Sequence, residues 1–203
     1  MKKKKVYLEI FTLFVVLHVL LYGLENIGYC IMGADNRFIN KMITMCAMGI
    51  LSIGFILYSK MKKQPLSFWP EHFTRKYWIV SLIVVVLFLS NPSLYVDTMK
   101  AVLLLIYGSI VTPLFEELVF RGYVWNRLEG IYEKPTTIMV LNAVLFGVWH
   151  LGYIITPLMN GEWMALSKLV IGFAFGMILG FVRMKTKNCY STFLVHGLLN
   201  SFL

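Results

Sequence analysis

Apolar runs of membrane-spanning length, parted by short basic segments, constrain this chain more than any other feature of its sequence. A helix needs about 20 apolar residues to cross roughly 30 Å of hydrocarbon. Seven runs are candidates, at about 6–30, 39–59, 77–95, 98–130, 136–154, 164–184 and 189–203, the last of them short and polar at both ends. They take up most of the 203 residues and leave only short connections, so chemistry has to come from helix side chains or from those loops. The predicted fold is all-α, a polytopic membrane bundle of about seven transmembrane helices forming one domain over 1–203. A content of 59% apolar and 14% charged residues fits, because soluble domains are nearer half apolar and a quarter charged.

Charge placement predicts an orientation. The formal charge of +9 would suit a nucleic-acid binder, but the basic residues cluster between apolar runs instead of forming one stripe. No nucleic-acid partner is therefore expected. With the N-terminus cytoplasmic, the inner segments hold 15 of the 19 Lys and Arg: Lys2–Lys5, then Lys60, Lys62, Lys63, Arg75 and Lys76, then Arg121, Arg127, Lys134, Arg183, Lys185 and Lys187. The outer side keeps Arg37, Lys41, Lys100 and Lys168. The positive-inside rule then predicts a multi-pass plasma membrane protein. The first run is too long for a signal peptide and no small-residue cleavage site follows, so it reads as a retained anchor. Cys30, Cys46 and Cys189 lack a C-x-x-C pair and suggest neither a disulfide framework nor a thiol zinc site.

Ionisable groups inside a span cost several kcal/mol and are functional candidates by default. The second half of the chain gathers Glu116, Glu117, Arg121, His150 and His196, with Asn200. Glu117 and Arg121, Phe146 and His150, and His196 and Asn200 are each four apart, so three helices each present a pair on one face. Gly130 reads as the C-cap of a long fourth helix and Pro135 as a first-turn residue of the fifth. On that reading Glu116, His150 and Asn200 lie roughly 16–22 Å from the inner helix ends, at 1.5 Å per residue, and can share one cavity. Pro113 predicts a kink one turn before Glu116. Gly122, Gly147 and Gly197 allow close helix approach. Gly172, Gly176 and Gly180 form a G-x-x-x-G-x-x-x-G seam, read as internal packing, with a homo-oligomer through it the less favoured use.

Glu-Glu-Leu-Val-Phe-Arg at 116–121, Phe-Gly-Val-Trp-His at 146–150 and His-Gly-Leu-Leu-Asn at 196–200 resemble three motifs, in order, of one family. It is the CAAX prenyl endopeptidase and bacteriocin-processing (Abi) family, and the resemblance covers about residues 113–200, within a motif-bearing core of about 98–203. It implies an intramembrane endopeptidase that cleaves a peptide or membrane-protein substrate with a glutamate-activated water and no cofactor. Carried over by motif, Glu116 would be the general base and His150 would help hold the water. His196 and Asn200 would stabilise the oxyanion, while Glu117 and Arg121 shape the site with Phe146 in support. Bacterial members act in peptide maturation and bacteriocin-type immunity, and a compact lysine-rich chain suggests a bacterium.

Other chemistry is compatible with the same residues. Glu116, His150 and His196 could form a His₂Glu zinc site, although an H-E-x-x-H helix is missing. A non-catalytic scaffold or immunity protein would use the polar pairs as helix–helix glue. A proton-coupled transporter would use them as a relay. His18 and Glu25, seven apart on the first run, share a face and read as a packing contact. The basic stretch 60–76, with Phe68, Trp69 and Trp78, reads as an anchor at the anionic inner leaflet.

Overall fold

The computed structural model describes residues 2–32, 37–63, 66–95 and 98–202, with side chains at all of these except 25, 26, 28–32, 37, 93, 156 and 157. Glu25 and Cys30, considered above, fall outside the described side chains. The described residues form helices and turns and no strand. In order these are α1 (Lys2–Met32), α2 (Arg37–Lys62), α3 (Arg75–Leu89), α4 (Met99–Glu129), α5 (Pro135–Trp149), α6 (Leu151–Met159), α7 (Ser167–Thr186) and α8 (Cys189–Ser201).

The chain is a helical membrane bundle. Among the described residues, five stretches are long and apolar enough to cross a bilayer: Lys2–Leu24, Phe38–Lys62, Met99–Glu129, Pro135–Ile155 and Trp163–Thr186. The third and seventh apolar runs fold as shorter helices, α3 of 15 residues and α8 of 13. At 1.5 Å per residue they reach about 20–22 Å, less than the hydrocarbon thickness. Ser90-Asn91-Pro92 ends α3 early, because proline cannot supply the next ladder N–H. Asn91 then donates its amide to the carbonyl of Ser201, tying the end of α3 to the end of α8.

In α1, Val6, Ile10, Phe14, Leu17 and Leu21 recur every three or four residues and are buried, while Leu8, Phe11, Val15 and Val19 are exposed. That stripe is the helix's inner face. The same core takes in Ala47 and Met48 of α2 and, from α4, Phe115, Val119, Phe120, Val124 and Leu128, these five fully buried. α4 is thus the central helix. Its predicted boundaries hold, with Thr98 capping Ala101 N–H at one end, Gly130 as C-cap at the other and Pro135 opening α5.

The glycine seam of α7 packs inside the chain. A methyl on Gly172 would sit 2.7 Å from His150 Nδ1, one on Gly176 2.7 Å from Ala143 Cα, and one on Gly180 2.8 Å from Met139 Cγ. Only hydrogen at these positions lets α7 lie this close to α5. The connection after α2 is strapped to α8: Cys189 and Tyr190 N–H groups donate to the carbonyls of Ser67 and Phe68, at 2.9 and 2.8 Å. Around that strap Trp69, Phe73, Tyr77 and Tyr190 form one aromatic cluster.

Arg121 and Arg183, counted above with the inner-side cations, are both buried within the bundle. The charge asymmetry survives their removal. Their work is inside.

Candidate active site

α4 is not a regular α-helix. Two π turns, Tyr107–Val111 and Leu118–Val124, flank the short α-helical piece Thr112–Glu117 that carries both glutamates. A π turn shifts the backbone register and leaves carbonyls to find partners elsewhere. Three side chains from other helices take them. Asn200 Nδ2 donates to Gly108 O at 2.9 Å, Asn142 Nδ2 to Phe120 O at 2.8 Å, and Arg183 Nε to Arg121 O at 2.9 Å. The predicted kink at Pro113 appears as the first π turn, just before it.

Pro113 also lacks the N–H that Ser109 O would have accepted in a regular helix. Gly197 of α8 lies against that carbonyl so closely that a Cβ would overlap it. Gly197→Ala is therefore expected to cost about 1–3 kcal/mol, the usual cost of overpacking. The midpoint of thermal unfolding in mild detergent should fall, and Ser109→Ala should not restore it, because the clash is with backbone. An unchanged midpoint would mean that α8 does not sit this near α4.

The two adjacent glutamates project about 100° apart around the helix and have different partners. Glu117 is fully buried, and its Oε1 accepts from Arg121 Nη1 at 3.0 Å and from His196 Nδ1 at 2.8 Å. Arg121, also fully buried, donates from Nη2 to Gly176 O at 3.3 Å and lies 4.4 Å over the Phe146 ring. The pair predicted from i, i+4 spacing is thus formed, with α5, α7 and α8 closing around it.

Glu116 is also buried. Its Oε1 accepts from Trp149 Nε1 at 3.1 Å, and its Oε2 faces His196 Nε2 at 3.8 Å. Among the described residues no lysine or arginine pairs with Glu116. One carboxylate is neutralised by an arginine and the other is left to an indole and an imidazole.

Of the residues predicted for the site, the structure brings Glu116, Glu117, Arg121 and His196 into direct contact. Phe146 joins them, with its ring 5.8 Å from His196 and 5.1 Å from His150. His150 and Asn200 are instead engaged with backbone carbonyls. His150 follows the last residue of α5, and its Nδ1 donates to Phe146 O at 2.8 Å, leaving Nε2 for another partner. Asn200 is engaged with Gly108 O as described, which uses one of its two amide hydrogens.

Three residues of this network were not singled out beforehand: Trp149, Asn142 and Arg183. Asn142 was detectable as a polar residue in an apolar run, four before Phe146 and eight before His150. Trp149 lies within the 146–150 motif but reads as apolar. Arg183, near a span end, looks like a snorkelling cation until Arg121 O and Asn126 Oδ1 are seen as its acceptors. Cys189 is buried and its thiol donates to Leu66 O at 3.3 Å. Among the described residues no three carboxylate, imidazole or thiol groups converge as a metal-ligating set.

Comparison with known proteins adds lineage to this geometry. The family model described as "Type II CAAX prenyl endopeptidase Rce1-like" matches residues 98–202, from the start of α4 to the end of α8. The chain is 28% identical over 116 residues to the "Putative membrane peptidase YdiL" of Bacillus subtilis (strain 168). That alignment covers 56% of this chain and 41% of the relative, so the chain spans less than half of that protein's length. No solved structure matches the chain.

Proposed function

The chain belongs to the type II CAAX prenyl endopeptidase Rce1-like family, and from that premise we propose that it is an intramembrane endopeptidase whose general base is Glu116. The observation that carries the reading is the contrast between neighbours: Glu117 is committed to Arg121 and His196, whereas Glu116 is a buried carboxylate to which, among the described residues, no lysine or arginine is bound. A base must be able to take a proton, and a carboxylate locked to a guanidinium takes one poorly.

Glu116 Oε2 and His196 Nε2, 3.8 Å apart, can share one water at about 2.8 Å from each, with an angle at the water oxygen of roughly 85°. His196 Nδ1–H points at Glu117, so the neutral ring turns the lone pair of Nε2 toward that water. The water oxygen attacks the scissile carbonyl carbon as Glu116 takes its proton. The carbon–nitrogen bond then breaks, and Glu116 returns the proton to the leaving amine. The second amide hydrogen of Asn200 is the donor we assign to the oxyanion. His150, anchored through Nδ1, offers Nε2 to orient the water or the substrate. Trp149 holds Glu116, while Arg121 and Glu117 fix His196.

The substrate in this reading is a membrane-associated peptide or membrane protein, and the role is peptide processing or bacteriocin-type immunity. Lysine and arginine asymmetry supports an N-terminus in the cytoplasm and residence in the plasma membrane. The deciding experiment compares peptides, by mass spectrometry, from cells carrying wild-type protein and Glu116→Gln at equal abundance. Products that vanish with the substitution support the reading, and identical peptide profiles overturn it.

The proposed water is activated by a carboxylate, not by zinc. Cleavage by purified protein is then expected to continue at the wild-type rate in excess strong chelator. Loss in chelator with recovery on added zinc would assign the water to a metal instead.

A further inference from the structure

The family match begins at residue 98, yet α1 touches Trp149, the residue that donates to Glu116. We propose that His18 is a positioning residue for Glu116, acting through Trp149. The proposal rests on the reading of Glu116 as the base, but the contacts that support it are separate from that chemistry.

α5 ends at Trp149 and the ladder skips there. Tyr153 N–H, which a continuous helix would return to Trp149 O, donates to His150 O at 3.0 Å. The Trp149 carbonyl is filled from α1, with His18 Nε2 3.0 Å away. A carbonyl only accepts, so Nε2 carries the proton in this contact. His18 Nδ1 lies 2.9 Å from Phe14 O, one turn back on its own helix. That carbonyl too only accepts, so a ring with a single N–H bonds one of the two carbonyls at a time, and the positioning role belongs to the form with the proton on Nε2.

The rings are in contact as well. The imidazole and indole centroids are 4.0 Å apart, and Phe14 lies 5.7 Å from the same indole. Gly152 makes the room, since a Cβ there would overlap the imidazole. Trp149 is fully buried, and its other side donates Nε1–H to Glu116 Oε1. His18 therefore holds the backbone and one face of the indole, and the indole holds one oxygen of the carboxylate. The other oxygen is turned to His196 as a result. A carboxylate allowed to rotate would lose that aim, and misplacement by about 1 Å can cost a hundredfold in rate.

The test reads the indole directly. The protein has five tryptophans, so protein labelled with 15N-tryptophan in detergent micelles should give one indole N–H resonance for each. Trp149→Phe identifies the relevant one, and Glu116→Gln should move it. His18→Ala is expected to shift the same resonance and speed its hydrogen exchange, while the Trp125 indole, bonded to Glu129, stays in place. His18→Gln keeps a donor of similar reach and should return most of the shift. Gly152→Ala, with His18 intact, should reproduce the His18→Ala spectrum by displacing the ring.

An unmoved Trp149 resonance in His18→Ala overturns the proposal, as does a His18→Gln spectrum equal to that of His18→Ala. Cleavage, read on products that depend on Glu116, should fall at least about tenfold in His18→Ala and recover in His18→Gln. If cleavage proves independent of Glu116 while the resonance behaves as expected, the protease reading fails and the positioning contact stands. If Glu116→Gln abolishes cleavage and His18 leaves the indole untouched, the reverse holds.

Discussion

Glu116→Gln is expected to lower peptide cleavage by about 10²–10⁴-fold, the usual contribution of a positioned general base. Its helical content and unfolding midpoint should match the wild type. The fold is spared for specific reasons. Glutamine has the same shape, and its carbonyl oxygen can still accept from Trp149 Nε1. No opposite charge is stranded, because Arg121 is paired with Glu117 and His196 Nδ1 also bonds there. Only the ability to take a proton is gone. Wild-type cleavage in this variant, measured on purified protein with a product peptide identified in cells, would remove Glu116 from the base role.

Arg121→Ala should have the opposite signature, with the fold failing first. Removing one partner of a buried ion pair leaves an uncompensated charge and costs about 3–5 kcal/mol. Glu117 would lose its guanidinium partner, Gly176 O its donor, and Phe146 the cation over its ring. Abundance and the unfolding midpoint should both drop sharply. Combining Arg121→Met with Glu117→Gln should recover more than half of the loss, since neither charge is then left alone. If Arg121→Ala is as stable as the wild type, the guanidinium is not the keystone that its burial indicates.

Much of this site was readable in advance because its spacing is a property of helices. Four-residue intervals put Glu117 beside Arg121 and Phe146 beside His150, and both contacts are present. Gly130 and Pro135 set the ends of α4 and α5 through local chemistry, so those boundaries were legible too. What was not legible depends on partners distant in sequence. The π turns at 107–111 and 118–124 persist because Asn200, Asn142 and Arg183 satisfy the displaced carbonyls, and nothing local to 107–124 announces those donors. Trp149 was hidden for another reason: its role lies in one N–H on an otherwise apolar side chain. The third run reads as a span by hydropathy, yet Asn91 and Pro92 close its helix early. His18 was visible as an oddity in an apolar stripe, but its acceptor lies 131 residues away.

The π turn at Leu118–Val124 carries a consequence for how this protein can change over time. Such a turn holds one residue more than an α-helical turn, so deleting a residue there would let α4 relax into a regular helix. Everything before the deletion would keep its register with everything after it, because the wide turn is what absorbs the extra residue. What would be lost are the displaced carbonyls of Phe120 and Arg121, to which Asn142 and Arg183 donate. The heptapeptide is accordingly the place where the central helix can shed a residue without turning its two halves against each other, at the cost of two buried donors left without their acceptors.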